Sequence, residues 1–132
     1  MDEKYLEFIN RFSHLTDEEL HYKTLYQQGY LPTVPDYIKE PKDLMHNEDA
    51  YIPNGEITIR KHPCYLPNYI HDHAFLEIPM VLRGRCKQRF YGREFMMEEG
   101  DALIIAPRTY HSISVFEDDT VTINLLVKME TL

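Results

Sequence analysis

At 132 residues the chain is sized for one domain, long enough to bury a single core without disulfide staples. Its 43% apolar and 12% aromatic content is that of an ordinary globular chain, and a formal net charge of −8 withholds the basic footprint that nucleic-acid binding needs. Cys64 and Cys86 lie apart with no Cys-x-x-Cys unit, no run approaches the roughly 20 apolar residues of a membrane span, and Met1-Asp2-Glu3-Lys4 lacks the order of a secretory signal, so the expectation is a cytoplasmic protein with reduced thiols.

Residues 4 to 12 place Tyr5, Phe8, Ile9 and Phe12 at helical spacing, which predicts a short helix with one apolar stripe. Thr16-Asp17-Glu18-Glu19 is a capping box, in which the threonine accepts from an amide three residues on while Glu19 reaches back. A second helix of about a dozen residues should follow and stop near Gly29, only weakly amphipathic and suited to a surface. Pro32, Pro35, Pro41 and Pro53 then forbid long regular structure, so residues 30 to 55 read as an extended arm. Residues 1 to 50 hold 11 acidic and 5 basic side chains against 11 and 9 in the remainder, so most of the negative charge sits in this first part. Residues 1–55, the helices and the arm, are expected to pack on a second portion, 56–132, as one structural domain.

From Glu56 the pattern changes to alternation. Ile57, Ile59 and Lys61 alternate with Thr58, Arg60 and His62, and turn-like clusters recur at Arg83-Gly84, Tyr91-Gly92-Arg93, Glu99-Gly100-Asp101, Pro107-Arg108-Thr109 and Glu117-Asp118-Asp119. Turns every eight to ten residues predict a mainly β protein, an antiparallel sandwich or small barrel of about eight strands. Pro79, inside an otherwise strong strand, suggests an edge or a bulge. Arg85, Lys87 and Arg89 alternate with Cys86, Gln88 and Phe90, which is how the solvent face of a half-buried strand reads.

The chemistry is concentrated in His71-Asp72-His73-Ala74-Phe75-Leu76-Glu77. In one extended strand His71, His73 and Glu77 would project to the same side, and His111, after the turn at Ala106-Pro107-Arg108-Thr109, could join them from a neighbouring strand. Three nitrogens and one oxygen suit one divalent transition metal (Zn, Ni, Fe or Mn); the same four groups could instead form a metal-free hydrogen-bonded cluster. Tyr69, Phe75 and Val81 share the phase of the first group, and Ile113 and Val115 that of His111, so these five are expected to line a small-molecule pocket.

The spacing of these residues resembles the cupin superfamily. His71, His73, Glu77 and Gly84 fit its first motif, and Gly100-Asp101 with His111 eleven residues after the glycine fits its second. Tyr65 stands where the first motif has a glycine, Pro107 is displaced by one, and Val115 stands where the second motif has an asparagine. Over residues 56 to 127 the sequence looks most like the N-terminal sensor domain of AraC-type transcription regulators. The resemblance implies a double-stranded β-helix, a jelly-roll-like small barrel with short N-terminal helices. It further implies a domain that binds a small-molecule effector and pairs as a homodimer, reaching DNA only through a C-terminal helix-turn-helix domain absent from these residues. The alternative is a stand-alone cupin metalloenzyme of the dioxygenase, isomerase or decarboxylase type, for which only Tyr69 and Tyr110 offer an extra acid or base.

Overall fold

The computed structural model describes residues 2–29, 52, 55–66, 72–90 and 93–129. Helix α1 runs Glu3–Arg11, capped by the Asp2 carboxylate on the Lys4 amide, and helix α2 runs Asp17–Gln27. Six strands follow among the described residues: β1 Ile57–Lys61, β2 Leu76–Arg83, β3 Arg85–Phe90, β4 Arg93–Glu98, β5 His111–Ser114 and β6 Val121–Val127. They form two antiparallel three-stranded sheets, ordered β1-β6-β2 and β4-β3-β5. This is the mainly β arrangement that the turn spacing predicts, with the jelly-roll form that the resemblance implies and the two short helices expected before it. The proposed arm lies almost wholly outside the described residues; within it, Ile52 packs on Phe75 and Leu126.

The first sheet gains a further edge from residues 101–105, which bridge to β2 at Glu77–Ile105 and Met80–Ala102. Pro79 explains why this pairing stays broken into bridges. Glu77, Pro79 and Val81 direct their backbone toward residues 101–105, and where a ladder bond from position 79 is due, proline has no N–H. The Pro79 carbonyl still accepts from the Leu103 amide at 3.1 Å, so the segment is held by one bond where a regular strand would have two. The bulge comes later on β2, where the register with β6 shifts between Val81 and Arg83.

Alternation sorts the faces. On β3, Cys86 and Gln88 are fully buried while Arg85, Lys87 and Arg89 face solvent, with Arg85 paired to Glu117 and Arg89 to Glu94. The interior holds Val81, Cys86, Met97, Ile113 and Val115, closed at one end by Tyr22 of α2 and by Tyr65. Helix α1 lays Ile9, Phe8 and Phe12 on the outer face of the first sheet, against Val121, Ile123, Met80 and Leu82.

The capping box of α2 forms as expected: Thr16 Oγ1 accepts from the Glu19 amide at 3.1 Å and Glu19 Oε1 accepts from the Thr16 amide at 3.0 Å. Glu19 does more than cap. Its other oxygen accepts from the Cys64 amide at 2.7 Å and meets Lys61 Nζ at 3.0 Å, so one buried carboxylate ties the helix start to the barrel. Burial alone would raise its pKa, but the hydrogen bonds from Thr16, Cys64 and Lys61 together outweigh it and hold the pKa below the usual carboxylate value.

Two predictions follow from these contacts. A depressed folded-state pKa means that Glu19 contributes stability above its unfolded value and loses it as pH falls through the folded one. Glu19→Gln should therefore cost about 1.5 to 3 kcal/mol near pH 7, and urea unfolding should show the gap to wild type narrowing as pH drops below about 4. At Gly84, φ is +77° and a Cβ would lie 2.4 Å from Thr120 Oγ1 and 3.0 Å from Thr120 Cα. Gly84→Ala should lower unfolding free energy by about 3 kcal/mol, combining strain with overpacking, and the same melts will measure it.

Candidate metal and ligand site

Glu77 on β2 and His111 on β5 come from opposite sheets, and His73 from the segment before β2. Their donor atoms converge: His73 Nε2 is 3.1 Å from Glu77 Oε2, His111 Nε2 is 3.3 Å from the same oxygen, and the two Nε2 atoms are 3.3 Å apart. All three side chains are buried. The route to this meeting differs from the single-strand expectation. Regular strand begins only at Leu76, and residues 74 and 75 form a bend. In a straight strand, residues four apart would be separated by about 13 Å, so alternation could not bring His73 to Glu77; the bend does. His71 and Tyr69 lie outside the described residues, so the convergent set observed is two nitrogens and one oxygen.

Each member is held from behind. The carbonyl of Phe75 is 3.0 Å from His73 Nδ1 and can only accept, so in the neutral imidazole Nδ1 carries the proton and Nε2 presents a lone pair to the cluster. Phe75 stacks on the His73 ring at 4.2 Å, and Phe90 on the His111 ring at 5.6 Å. Glu77 exchanges two backbone bonds with Ile105, and the Arg108 amide donates to the His73 carbonyl at 2.8 Å, tying the turn before His111 to the first histidine.

The arrangement is chemically demanding. A carboxylate oxygen and an imidazole lone pair at 3.1 Å repel unless positive charge, a proton or a metal ion, lies between them. Donors about 2.1 Å from one ion and 90 to 110° apart are separated by roughly 3.0 to 3.4 Å, and the three observed distances fall in that range. The set could hold a metal ion, and two histidines with one carboxylate on one side leave coordination positions for a ligand.

The apolar residues expected to line a pocket are placed differently from one another. Phe75 is beside the cluster, stacked on His73. Val81, Ile113 and Val115 are 1%, 6% and 1% exposed and sit in the core cluster with Tyr22, Cys64 and Met97. Two interior polar residues escaped the sequence reading. Gln88 is 0% exposed with neither end of its amide hydrogen-bonded, and Asn124 Oδ1 is likewise buried without a partner among the described residues. Each such group costs about 1 to 3 kcal/mol. A glutamine between Cys86 and Phe90, in phase with both, was the signal available for the first.

Two antiparallel sheets with a two-histidine, one-carboxylate cluster between them fit the jelly-roll arrangement that the resemblance to cupins implies. Residues 62–126, just under half of the chain, match the family described as the AraC-like ligand binding domain, a span that contains every described member of the cluster, so this portion resembles the AraC-type sensor. Solved structures similar to the chain include a cupin protein from Bacteroides fragilis, with 24% identity over 64% of this chain and 75% of that one and a TM-score of 0.48. KdgF from Halomonas sp. is similar at 20% identity over 58% and 76%, with a TM-score of 0.45. A cupin-2 domain containing protein from Shewanella frigidimarina is similar at 18% over 55% and 68%, with a TM-score of 0.44. No curated protein matches the sequence. Among the described residues no helix is long and apolar enough to cross a membrane.

The donor geometry predicts uptake of about one equivalent of divalent transition metal by protein prepared without chelator. With free metal a hundredfold above its dissociation constant, stability should rise by about 2.7 kcal/mol, and His111→Ala or Glu77→Ala should remove both uptake and stabilisation. Elemental analysis and thermal melts with and without chelator are the measurements; a metal-free protein with an unchanged melting temperature would leave a proton-bridged cluster.

Proposed function

We propose that the chain is the effector-binding and dimerisation domain of an AraC-type transcription regulator, acting in the cytoplasm and reaching DNA through a helix-turn-helix domain outside these residues. The observation that carries this reading is the family match over residues 62–126, which spans Glu77 and His111 together with their supporting strands. On this reading His73, Glu77 and His111, with His71, hold one divalent metal, which when bound supplies a Lewis-acidic point for an oxygen of the effector. The chain's own residues do the rest: Phe75 and Phe90 fix the imidazole planes, and the Phe75 carbonyl fixes the proton on His73 Nδ1. Tyr69, Phe75, Val81, Ile113 and Val115 line the effector pocket on this reading. The metalloenzyme alternative has less support here, because Tyr110, its described acid-base candidate, is 55% exposed.

The homodimer is proposed through the outer face of the first sheet. Helix α1 already covers one end of that face, so its apolar stripe is largely occupied within the chain. Beside it runs a row set by strand register: Ile59 on β1, Leu125 on β6, Ile78 on β2 and, by the register of both bridges, Ile104. Ile59, Ile104 and nearby Ile57 are 51%, 72% and 55% exposed, an apolar strip that a second copy would cover.

Light scattering at micromolar concentration should give twice the 15.8 kDa protomer mass, and Ile59→Lys combined with Ile104→Lys should return it to the protomer while leaving metal uptake intact. A wild-type protomer mass across the micromolar range would overturn the dimer. Effector binding is tested in the same preparation: small metabolites should raise the melting temperature of the wild type and not of His73→Ala.

A further inference from the structure

Gln88 lies on β3 directly opposite Ile113 of β5 and Phe95 of β4, and two residues from Phe90, whose ring stacks on His111. Its neighbours in phase, Cys86 and Phe90, face the barrel interior, as does Gln88 at 0% exposure. From the other sheet, Asn124 on β6 pairs with Pro79 and so stands diagonal to Glu77 on the interior side. Diagonal cross-strand neighbours are about 7 to 8 Å apart, which puts Gln88 within reach of a small molecule held at His111.

Both ends of the Gln88 amide are buried without a partner among the described residues, and exchanging its nitrogen and oxygen would leave both so. A glutamine kept wholly inside a barrel with its amide unmatched is a poor core residue, since methionine has a similar shape and no such cost. The outer ring of this site offers an approach: Phe95, opposite Gln88 on the edge strand β4, is 42% exposed and stacks with Phe90 at 5.9 Å.

We propose that Gln88 is a specificity-determining residue that hydrogen-bonds the ligand, and that with Asn124 it selects a neutral small molecule bearing hydroxyl or primary-amide groups over a carboxylate. This rests on the reading of the barrel interior as a ligand site and adds the chemical class. Gln88 offers one acceptor and a pair of N–H donors, Asn124 Oδ1 offers a further acceptor, and the Glu77 carboxylate beside them carries negative charge. A carboxylate would meet the like charge of Glu77 and oppose its lone pairs to the two unmatched amide oxygens, whereas a hydroxyl donates to one of them and accepts from the Gln88 N–H.

The test uses glycerol and glycerate, a matched neutral and anionic pair, on metal-stripped protein so that chelation by glycerate does not intervene. The Gln88 side-chain NH2 signals in the 15N spectrum, identified by their loss in Gln88→Met, are followed during each titration. Glycerol should shift them saturably and at least tenfold more tightly than glycerate. Gln88→Met should weaken glycerol binding at least fivefold while raising the melting temperature, because the variant no longer buries an unmatched amide. Glycerate binding as well as glycerol, no glycerol shift at Gln88, unchanged glycerol affinity in Gln88→Met, or a lowered melting temperature would each overturn the proposal. Metal uptake measured on both proteins separates the two levels: uptake without a glycerol response at Gln88 removes this inference alone, whereas loss of both removes the underlying ligand-site reading as well.

Discussion

Three electron-rich groups held within 3.3 Å of one another are the constraint around which this barrel is arranged. A proton or a metal ion between them is what lets such groups stand so close, and the contacts behind each residue hold them in place. Phe75 acts twice on His73, through its carbonyl and its ring. Glu77 is fixed by paired backbone bonds to Ile105, and His111 by the ring of Phe90. The two sheets meet at this point, which is why the site depends on the whole sandwich rather than on either half.

Much of this was legible in the sequence, for identifiable reasons. The capping box at Thr16 and Glu19 is local chemistry, and local chemistry survives folding; the alternation of Arg85, Lys87 and Arg89 with Cys86 and Gln88 is likewise set by strand geometry alone. Spacing also paired His73 with Glu77, yet the physical reason offered, one straight strand, was not the one the chain uses. Bends such as that at residues 74 and 75 carry no periodic signature, so the convergence was visible while its route was not. The second role of Glu19, reaching Cys64 and Lys61, joins residues more than forty positions apart, and no short-range pattern encodes that. Val81, Ile113 and Val115 show what phase does give: all three face inward and are buried in one cluster with Tyr22 and Met97, which come from elements that no short-range pattern links to them.

Tyr65 shows how a departure from a family pattern can be absorbed. It stands where the cupin motif has glycine, and its φ of +66° is the left-handed conformation that glycine adopts freely and other residues adopt at a cost of roughly 1 to 2 kcal/mol. The backbone is retained and the side chain made useful. Its amide donates to the Val115 carbonyl at 2.7 Å, and its hydroxyl donates to Asp118 at 2.5 Å. Burial first, and then the bond to Asp118, push the phenol well above its ordinary range, so it stays a donor throughout physiological pH. Tyr26 packs against the same ring, linking α2 to this turn.

Pro79 has a consequence for how the interior communicates with solvent. Residues 101–105 flank β2 beside Glu77, but the ladder that secures them has a missing rung at Pro79, whereas β2 pairs with β6 as a regular ladder from Leu76 to Val81. Local opening draws on the least bonded element available. The imino acid thus leaves one wall of the barrel with a thinner ladder than a regular strand would give it, while β6 is bonded on both sides.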